Sequence, residues 1–364
     1  MITGQDLVEW QLRVAAGESL PCRQDQLAIN GHAFEARVYA EDPERDFLPA
    51  TGTLEHLRTP TEGPHVRIDT GVCQGDVVSP HYDPMIAKLI VWDRDRDNAL
   101  RRLRQALADY QVVGVTTNLN LLSAVAAHPA FASGELNTGF IEQHRSELFP
   151  NKQPVSDRIL ALATLGRLLR VNAEAAARAR QSGDPWSPWH FTNGWHINED
   201  PHRTLYFRDG EHEVSVTVHY RADHTLLDLP GGQLVVRGEL HPNGNDVLAD
   251  LGGVRLHATL VQQGHEMTIL THGESHRLMV HNPLTEGMED EVVTGTLAAP
   301  MPGSVLQVLV EQGQRVEQGA PLMILEAMKM EHTIIAPRSG RVERIFYREG
   351  EQVQEGVELL VLEE

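Results

Sequence analysis

A multidomain α+β chain is predicted by three patterns that follow one another along the sequence. Strand and helix signals mix through residues 1–150. A helix rich in Ala and Leu, from Ile159 to Arg180, then gives way to short strands of period two. The last 66 residues repeat themselves at an offset of 37. At 364 residues the chain exceeds the ~250–300 at which single cores stop growing, so two or three domains are expected.

Composition excludes several classes. Hydrophobic residues at 41% rule out wholesale disorder. Lys+Arg 31 against Asp+Glu 51 gives a formal net charge of −20, which argues against a nucleic-acid partner. No run approaches the ~18–20 apolar residues of a membrane helix. Cys22 and Cys73 are too few for a disulfide scaffold or a cysteine-built zinc site, and no metal site is expected. With no targeting segment at the N-terminus, a reducing, cytoplasmic setting follows. Only three of the 31 basic residues are lysines: Lys88, Lys152 and Lys329.

Asp6 is placed to cap a helix with Leu7, Trp10 and Val14 on one stripe, so order is expected almost from residue one. Natural domains usually begin with a few loose residues, and so abrupt a start carries the expectation that something precedes it. His32 to Tyr39 reads as a strand, with Asp42-Pro43 and Pro49 punctuating the loop behind it. Val66-Arg67-Ile68 and Met85 to Trp92 read as further strands or as a strand–helix pair. Asn98 to Tyr110 is an amphipathic helix with Leu100, Leu103 and Leu107 on one face. A second helix covers Asn118 to Ala127 and ends at His128-Pro129.

The helix from Ile159 stops at Ser182-Gly183-Asp184-Pro185. Beyond it Val214, Val216 and Val218 alternate with Ser215, Thr217 and His219. Similar strands follow at 233–237, 254–262, 267–271 and 275–280, which together predict an antiparallel sheet or barrel. Trp186, Trp189 and Trp195, three of the five tryptophans, fall within ten residues ahead of it; the plain reading is a hydrophobic plug for that sheet. Residues 281–296, with Asn282-Pro283 and several acids, read as a linker.

In the repeat, Ala299-Pro300 matches Ala336-Pro337, Gly303 matches Gly340, Val305 matches Val342 and Gly313 matches Gly350. Val316, Gly319, Leu322 and Leu325 match Val353, Gly356, Leu359 and Leu362. Two such copies describe a small pseudo-symmetric β-sandwich. Lys329 falls at the hinge between the copies, so a tight hairpin should carry it into solvent. Met328 and Met330 flank it, polarizable side chains that gain nothing for folding at a hairpin tip. A lysine so placed could carry a covalent group between distant sites.

Glu326-Ala327-Met328-Lys329-Met330 inside this repeat resembles the biotin carboxyl carrier domain of biotin-dependent carboxylases. Lipoyl domains share the repeat but typically place Asp before their lysine. The resemblance implies that a biotin protein ligase joins biotin to Lys329 through an amide bond, reading the folded hairpin.

It extends upstream. Asn30 to Pro43 (NGHAFEARVYAEDP), Phe47 to Gly52, Tyr82 to Leu89, Thr116-Thr117-Asn118 and His128 to Phe131 resemble the C-terminal portion of a biotin carboxylase. By that resemblance Arg37 is similar to the arginine that stabilises the enolate-like form of biotin. A fixed guanidinium beside the ureido oxygen lets negative charge develop there. Tyr82 and Asp83 line the same pocket on this reading, while Lys88 is either a pocket residue or, more plainly, a strand-end surface group. The intact family holds ATP and Mg²⁺ in an ATP-grasp portion ahead of this region, and uses bicarbonate to form carboxyphosphate. No glycine-rich phosphate loop occurs here, and Ile2-Thr3-Gly4 resembles the stretch just after the family's catalytic segment. A truncated gene, or a start assigned at an internal Met, would give such a chain, which alone would neither hydrolyse ATP nor carboxylate biotin.

The middle region resembles the domain between carboxylase and carrier in the α subunits of methylcrotonoyl-CoA and geranyl-CoA carboxylases, where a helix and barrel contact the carboxyltransferase β subunit. The expected domains are thus a partial biotin carboxylase C-terminal domain at 1–150, a helix-plus-barrel docking domain at 151–290 and a biotin carrier at 291–364. The resemblance implies an enzyme subunit whose acyl-CoA, such as 3-methylcrotonyl-CoA of leucine breakdown, binds on the β partner. The alternative is a non-catalytic carrier that takes biotin and docks the partner without chemistry of its own.

Overall fold

Asp6 does cap the first helix, α1 (Leu7–Ala15), its Oδ1 accepting the Val8 and Glu9 N–H groups at 3.0 Å each. No residue of α1 is buried; Leu7, Leu12 and Val14 stay 64%, 68% and 46% exposed. The computed structural model describes residues 1–150, 153–195, 197–221, 223–281, 296–327 and 330–363. They form two compact units, Met1–Pro150 with Val292–Glu364, and Asn151–Glu291. Most of the expected linker, from 282 to 295, lies outside the described residues.

In the first unit an antiparallel sheet runs in the order β1-β3-β2, where β1 is His32–Tyr39, β2 Val66–Thr70 and β3 Met85–Asp93. Val66–Thr70 and Met85–Asp93 are therefore both strands, the first of the two alternatives, and not a strand–helix pair. Ala36 and Val38 of β1 and Leu89 and Val91 of β3 face inward, alternating with outward Glu35, Arg37, Lys88 and Ile90. Helix α2 (Arg96–Asp109) covers the inner face with Leu100, Leu103 and Leu107, as its spacing predicted. Asp95 caps it, and α3 (Leu119–Ala127) follows, stopped where Pro129 opens the short helix α4 (Pro129–Ser133).

The second unit is built around α5 (Asp157–Gln181). A helix lying on a sheet keeps one side in water, yet every residue from Ile159 to Gly166 is buried. Its wall is a closed eight-stranded antiparallel barrel: β4 (His202–Asp209), β5 (His212–Tyr220), β6 (Thr225–Leu229), β7 (Gly232–Leu240), β8 (Asp246–Leu251), β9 (Val254–Gln263), β10 (Glu266–Thr271) and β11 (Glu274–His281). The barrel closes where β4 meets β11 through Tyr206↔His281, Phe207↔Val280 and Arg208↔Met279. Leu160, Leu162 and Leu165 of α5 share one core with Phe207, Val216, Leu227, Leu260 and Ile269 of the strands. Closure leaves no free sheet edge.

The repeat folds as two packed four-stranded sheets, ordered β12-β19-β17-β14 and β16-β15-β13-β18. These strands are β12 (Thr296–Ala298), β13 (Gly303–Val308), β14 (Arg315–Val316), β15 (Pro321–Ala327), β16 (Met330–Ile335), β17 (Gly340–Ile345), β18 (Gln352–Val353) and β19 (Glu358–Glu363). The copies agree to the level of register. Ser304↔Glu326 and Val305↔Leu325 precede an irregularity in β13, and Arg341↔Glu363 and Val342↔Leu362 precede the same one in β17. Gly313 and Gly350 sit at φ 87° and 85°, a left-handed turn conformation that a side chain would strain.

Candidate functional site

The hairpin that joins the two copies of the repeat is anchored up to its last described residue. Along β15, Leu322, Met323 and Leu325 are fully buried and Ala327 is 3% exposed. Ala327 pairs with Met330 across the hairpin, so only two residues separate paired strands. Those two, Met328 and Lys329, and the side chain of Met330, lie outside the described residues. The described residues establish a strand fixed in the core of the sandwich up to Ala327.

Arg37 stands on the outward face of β1, its side chain 59% exposed. The Tyr39 hydroxyl and the Glu35 carboxylate, two residues away on the same face, raise its guanidinium pKa above the ordinary value. Glu35 Oε1 lies 3.5 Å from Nε. Register places Lys88 of β3 directly opposite Arg37, and Asp69 of β2 opposite Lys88.

Asn118 fixes the backbone beneath Arg37. It sits at the N-cap of α3 but gives its side chain to β1 instead. Its Oδ1 accepts the Tyr39 N–H at 2.9 Å, and its Nδ2 donates to the Arg37 carbonyl at 3.1 Å and to Glu41 Oε1 at 3.2 Å. Its own N–H donates to the Tyr39 carbonyl at 3.2 Å. One residue thus does for the free edge of β1 what a neighbouring strand would do. Burial raises the Glu41 carboxyl above its ordinary pKa, the Asn118 hydrogen bond opposes this, and nearby Asp83 adds to the rise. The sequence marks Asn118 as the start of a helix and as part of a stretch resembling a biotin carboxylase; its bonds to β1 have no local signal.

Tyr82 and Asp83 form the turn entering β3, just past the Tyr39↔Met85 pair. The neighbouring Pro84 carbonyl accepts the Ala40 N–H at 2.9 Å, which ties this turn to the end of β1. Asp83 Oδ1 accepts the Met85 N–H at 3.0 Å, and Tyr82 is 79% exposed. The structure brings the turn to the Arg37 end of the sheet. Glu35 and Tyr39 of its own strand face the Arg37 guanidinium, while Asn118 bonds its carbonyl.

The tryptophan-rich segment overturns one expectation. Trp186, Trp189 and Trp195 are 88%, 92% and 68% exposed, with Phe191 and Ile197 exposed beside them, so they plug nothing. The barrel core is instead shared with the leucines of α5. The segment is nevertheless held in place. Ser182 Oγ lies 3.3 Å from His190 Nε2, Thr192 bonds Asn172 of α5, and Arg221 pairs with Asp200 at 3.3 Å. Gly194 packs on the Tyr220 ring so closely that a Cβ there would lie 2.6 Å from Cε2.

One further cluster went unread in the sequence. His128, His144 and Glu147 bring ligand-type atoms within 4.8 Å of one another. His128 Nδ1 accepts the Ala130 N–H at 3.2 Å as the cap of α4, which leaves the ring proton on Nε2, 3.3 Å from Glu147 Oε2. Hydrogen bonding accounts for the cluster.

Three families match consecutive stretches. Residues 35–143 match "Biotin carboxylase C-terminal domain", 156–283 "Methylcrotonyl-CoA carboxylase, alpha-subunit, BT domain" and 295–362 "Biotin-requiring enzyme". The mitochondrial methylcrotonoyl-CoA carboxylase subunit α of Dictyostelium discoideum is 41% identical over 347 residues, covering 92% of this chain and 49% of the relative. That of Mus musculus is 38% identical over 337 residues, covering 92% and 47%. The propionyl-CoA carboxylase α chain of Ruegeria pomeroyi is 34% identical over 369 residues, covering 91% and 51%. The chain spans about half the length of the curated relatives it matches.

Proposed function

This chain belongs with the α subunits of biotin-dependent acyl-CoA carboxylases, most like that of methylcrotonoyl-CoA carboxylase, and from that kinship we propose that it carries biotin on Lys329 and docks a carboxyltransferase β subunit. The observation that carries the proposal is the repeat: a sandwich in which a buried strand ends at Ala327, which pairs with Met330, with Met328-Lys329 between them in the sequence. Biotin supplies a ureido group able to take up and release a carboxyl; ATP, Mg²⁺ and bicarbonate supply the activated carboxyl in the family. This chain's residues do the holding. Arg37, fixed through Asn118 and offered to solvent by its strand, is suited to meet negative charge on a ureido oxygen. Tyr82 and Asp83 edge that face, and Met328 and Met330 flank the attachment lysine.

The exposed aromatic segment 184–197 supports docking by the second unit, since so much apolar area held in water gains nothing for this chain alone. The acyl-CoA, 3-methylcrotonyl-CoA by kinship, binds on the docked partner. The named activity of the relatives supports an enzyme subunit over a carrier without chemistry. Alone, the chain is proposed to be inactive, because its sequence holds no phosphate loop. No helix among the described residues is long and apolar enough to cross a membrane, and the free Cys22 and Cys73 are in keeping with a reducing, cytoplasmic setting.

Co-expression with a biotin protein ligase tests the central point. A streptavidin-reactive band is expected, and Lys329→Ala should remove it. A band that persists in the variant overturns the assignment.

A further inference from the structure

The repeat gives the sandwich two equivalent ends, and the fold treats them differently. Its core divides into two clusters that the offset of the repeat relates. Ala299, Val305 and Val353 belong to the cluster that includes Ala327, and their counterparts Ala336, Val342 and Val316 to the other. Among the described residues, the partly buried side chains packed on the second cluster, Leu297, Ala320 and Ile345, all come from the sandwich itself. The first cluster also takes in Leu48, from the other segment of the same compact unit. The symmetry breaks in the chain as well. Met301, in the bend ahead of β13, is 1% exposed within the first cluster. Its counterpart is Arg338, which donates to the Leu362 carbonyl at 3.0 Å. The end that meets Leu48 is thus the more apolar of the two.

Leu48 stands on a turn under strain. Glu41 and Asp42 continue from β1 and pair with Pro49 and Leu48 in a short antiparallel return. Between them Asp46 and Phe47 both hold left-handed backbone, at φ 50° and 58°. Two such residues in a row, neither of them glycine, persist only where their surroundings impose it. Phe47 supplies the restraint, because its ring packs with Leu121, Phe140 and Leu148. Adjacent side chains therefore enter different cores: Phe47 that of the first segment, Leu48 that of the sandwich.

We propose that Leu48 is the seat of the carrier on the first 150 residues. The strained turn holds it out as an apolar knob, and the Met301 half of the sandwich core closes over it. The partner is the chain's own carrier, engaged by one of its two symmetric halves, the one in which the strand leading to Lys329 ends. A carrier so seated has that half against the turn that continues from β1, the strand of Arg37. One leucine is a small contact, and small contacts release readily, as a group carried between distant sites requires. The proposal deepens, and for its purpose rests on, the reading of Lys329 as the attachment point of biotin.

Nuclear magnetic resonance of the deuterated, methyl- and ¹⁵N-labelled full chain tests this. In Leu48→Ser the Met301 methyl signal should shift, while those of Met267 and Met279 in the barrel stay in place. The rotational correlation time of the carrier amides should fall about twofold as the sandwich passes from packed to tethered. Met301→Arg, which gives the first copy the residue of the second, should shorten it likewise. Leu48→Ile should keep the parental values, and Val77→Ser, at an exposed apolar residue of the same segment, should change neither readout. Retained dispersion of the carrier amides checks that the sandwich stays folded. Correlation times that match the parent in both Leu48→Ser and Met301→Arg would overturn the seat, while biotin on Lys329, scored separately with streptavidin, would keep the carrier reading. Release by both variants in a chain that takes no biotin at Lys329 would support the seat and remove the carrier reading.

Discussion

Asn118 concentrates more of the candidate site than any other single residue. Its side chain satisfies the Tyr39 N–H and the Arg37 carbonyl from a position that is 6% exposed. Asn118→Ala leaves both backbone groups without that partner and should cost about 2–3 kcal/mol in urea unfolding. Arg37→Ala, on the exposed face, should stay within about 0.5 kcal/mol in the same measurement. Glu41 gives a pH signature. Burial raises its folded-state pKa above the ordinary 4.5, so its contribution to stability is fully present below that value and fades as pH rises through the folded pKa. Glu41→Gln, neutral throughout, should flatten this part of the melting-temperature profile and raise the melting temperature at pH 7. A profile unchanged by the substitution would show that Glu41 does not titrate as its burial requires.

At the scale of elements, the repeat makes a paired prediction. A Cβ on Gly303 would lie 2.6 Å from the Glu326 carbonyl oxygen, and one on Gly340 would lie 2.6 Å from that of Glu363. Both obstacles are backbone. Gly303→Ala and Gly340→Ala should therefore destabilise the sandwich by similar amounts, roughly 1–3 kcal/mol each in denaturant melts. The barrel offers the opposite sign. Thr164 Oγ1 is buried without a hydrogen-bond partner among the described residues, so Thr164→Val should stabilise by about 1 kcal/mol. These elements differ in how far their sequence announces them. Leu100, Leu103 and Leu107 of α2 and the valines of β5 repeat at the period of their own element, and both were legible. Strands β4, β6 and β8 were not. Thr225-Leu226-Leu227-Asp228-Leu229 is too short to show a period, and Asp246 to Leu251 mixes its apolar residues with acids. Partners on both edges of a closed wall hold these strands, which no local window reveals. The Asn118 bond to Tyr39 spans 79 residues and was hidden for the same reason. The tryptophans misled because large apolar side chains are expected to be inside; here the barrel core is shared with the leucines of α5 instead.

For the whole molecule, the docking role proposed for residues 184–197 predicts a separation of stability from binding. The Trp186→Ala/Trp189→Ala double variant should lose capture of a carboxyltransferase β subunit by tenfold or more, on the order of two exposed hot-spot residues. Its unfolding free energy should change by less than about 0.5 kcal/mol, because neither ring is buried in the fold. Retained capture would move the docking role elsewhere in the unit. Closure of the barrel around α5 has a consequence of another kind, in the order of events as the chain folds. A helical stretch buried throughout inside the wall, as Ile159 to Gly166 is, cannot be added to a finished wall. The seam joins the first barrel strand to the last, through three residue pairs, and contacts so distant along the chain close slowly. Helix α5 must therefore be in place before the seam shuts, and until the last strand arrives its leucines stand open to any other apolar surface.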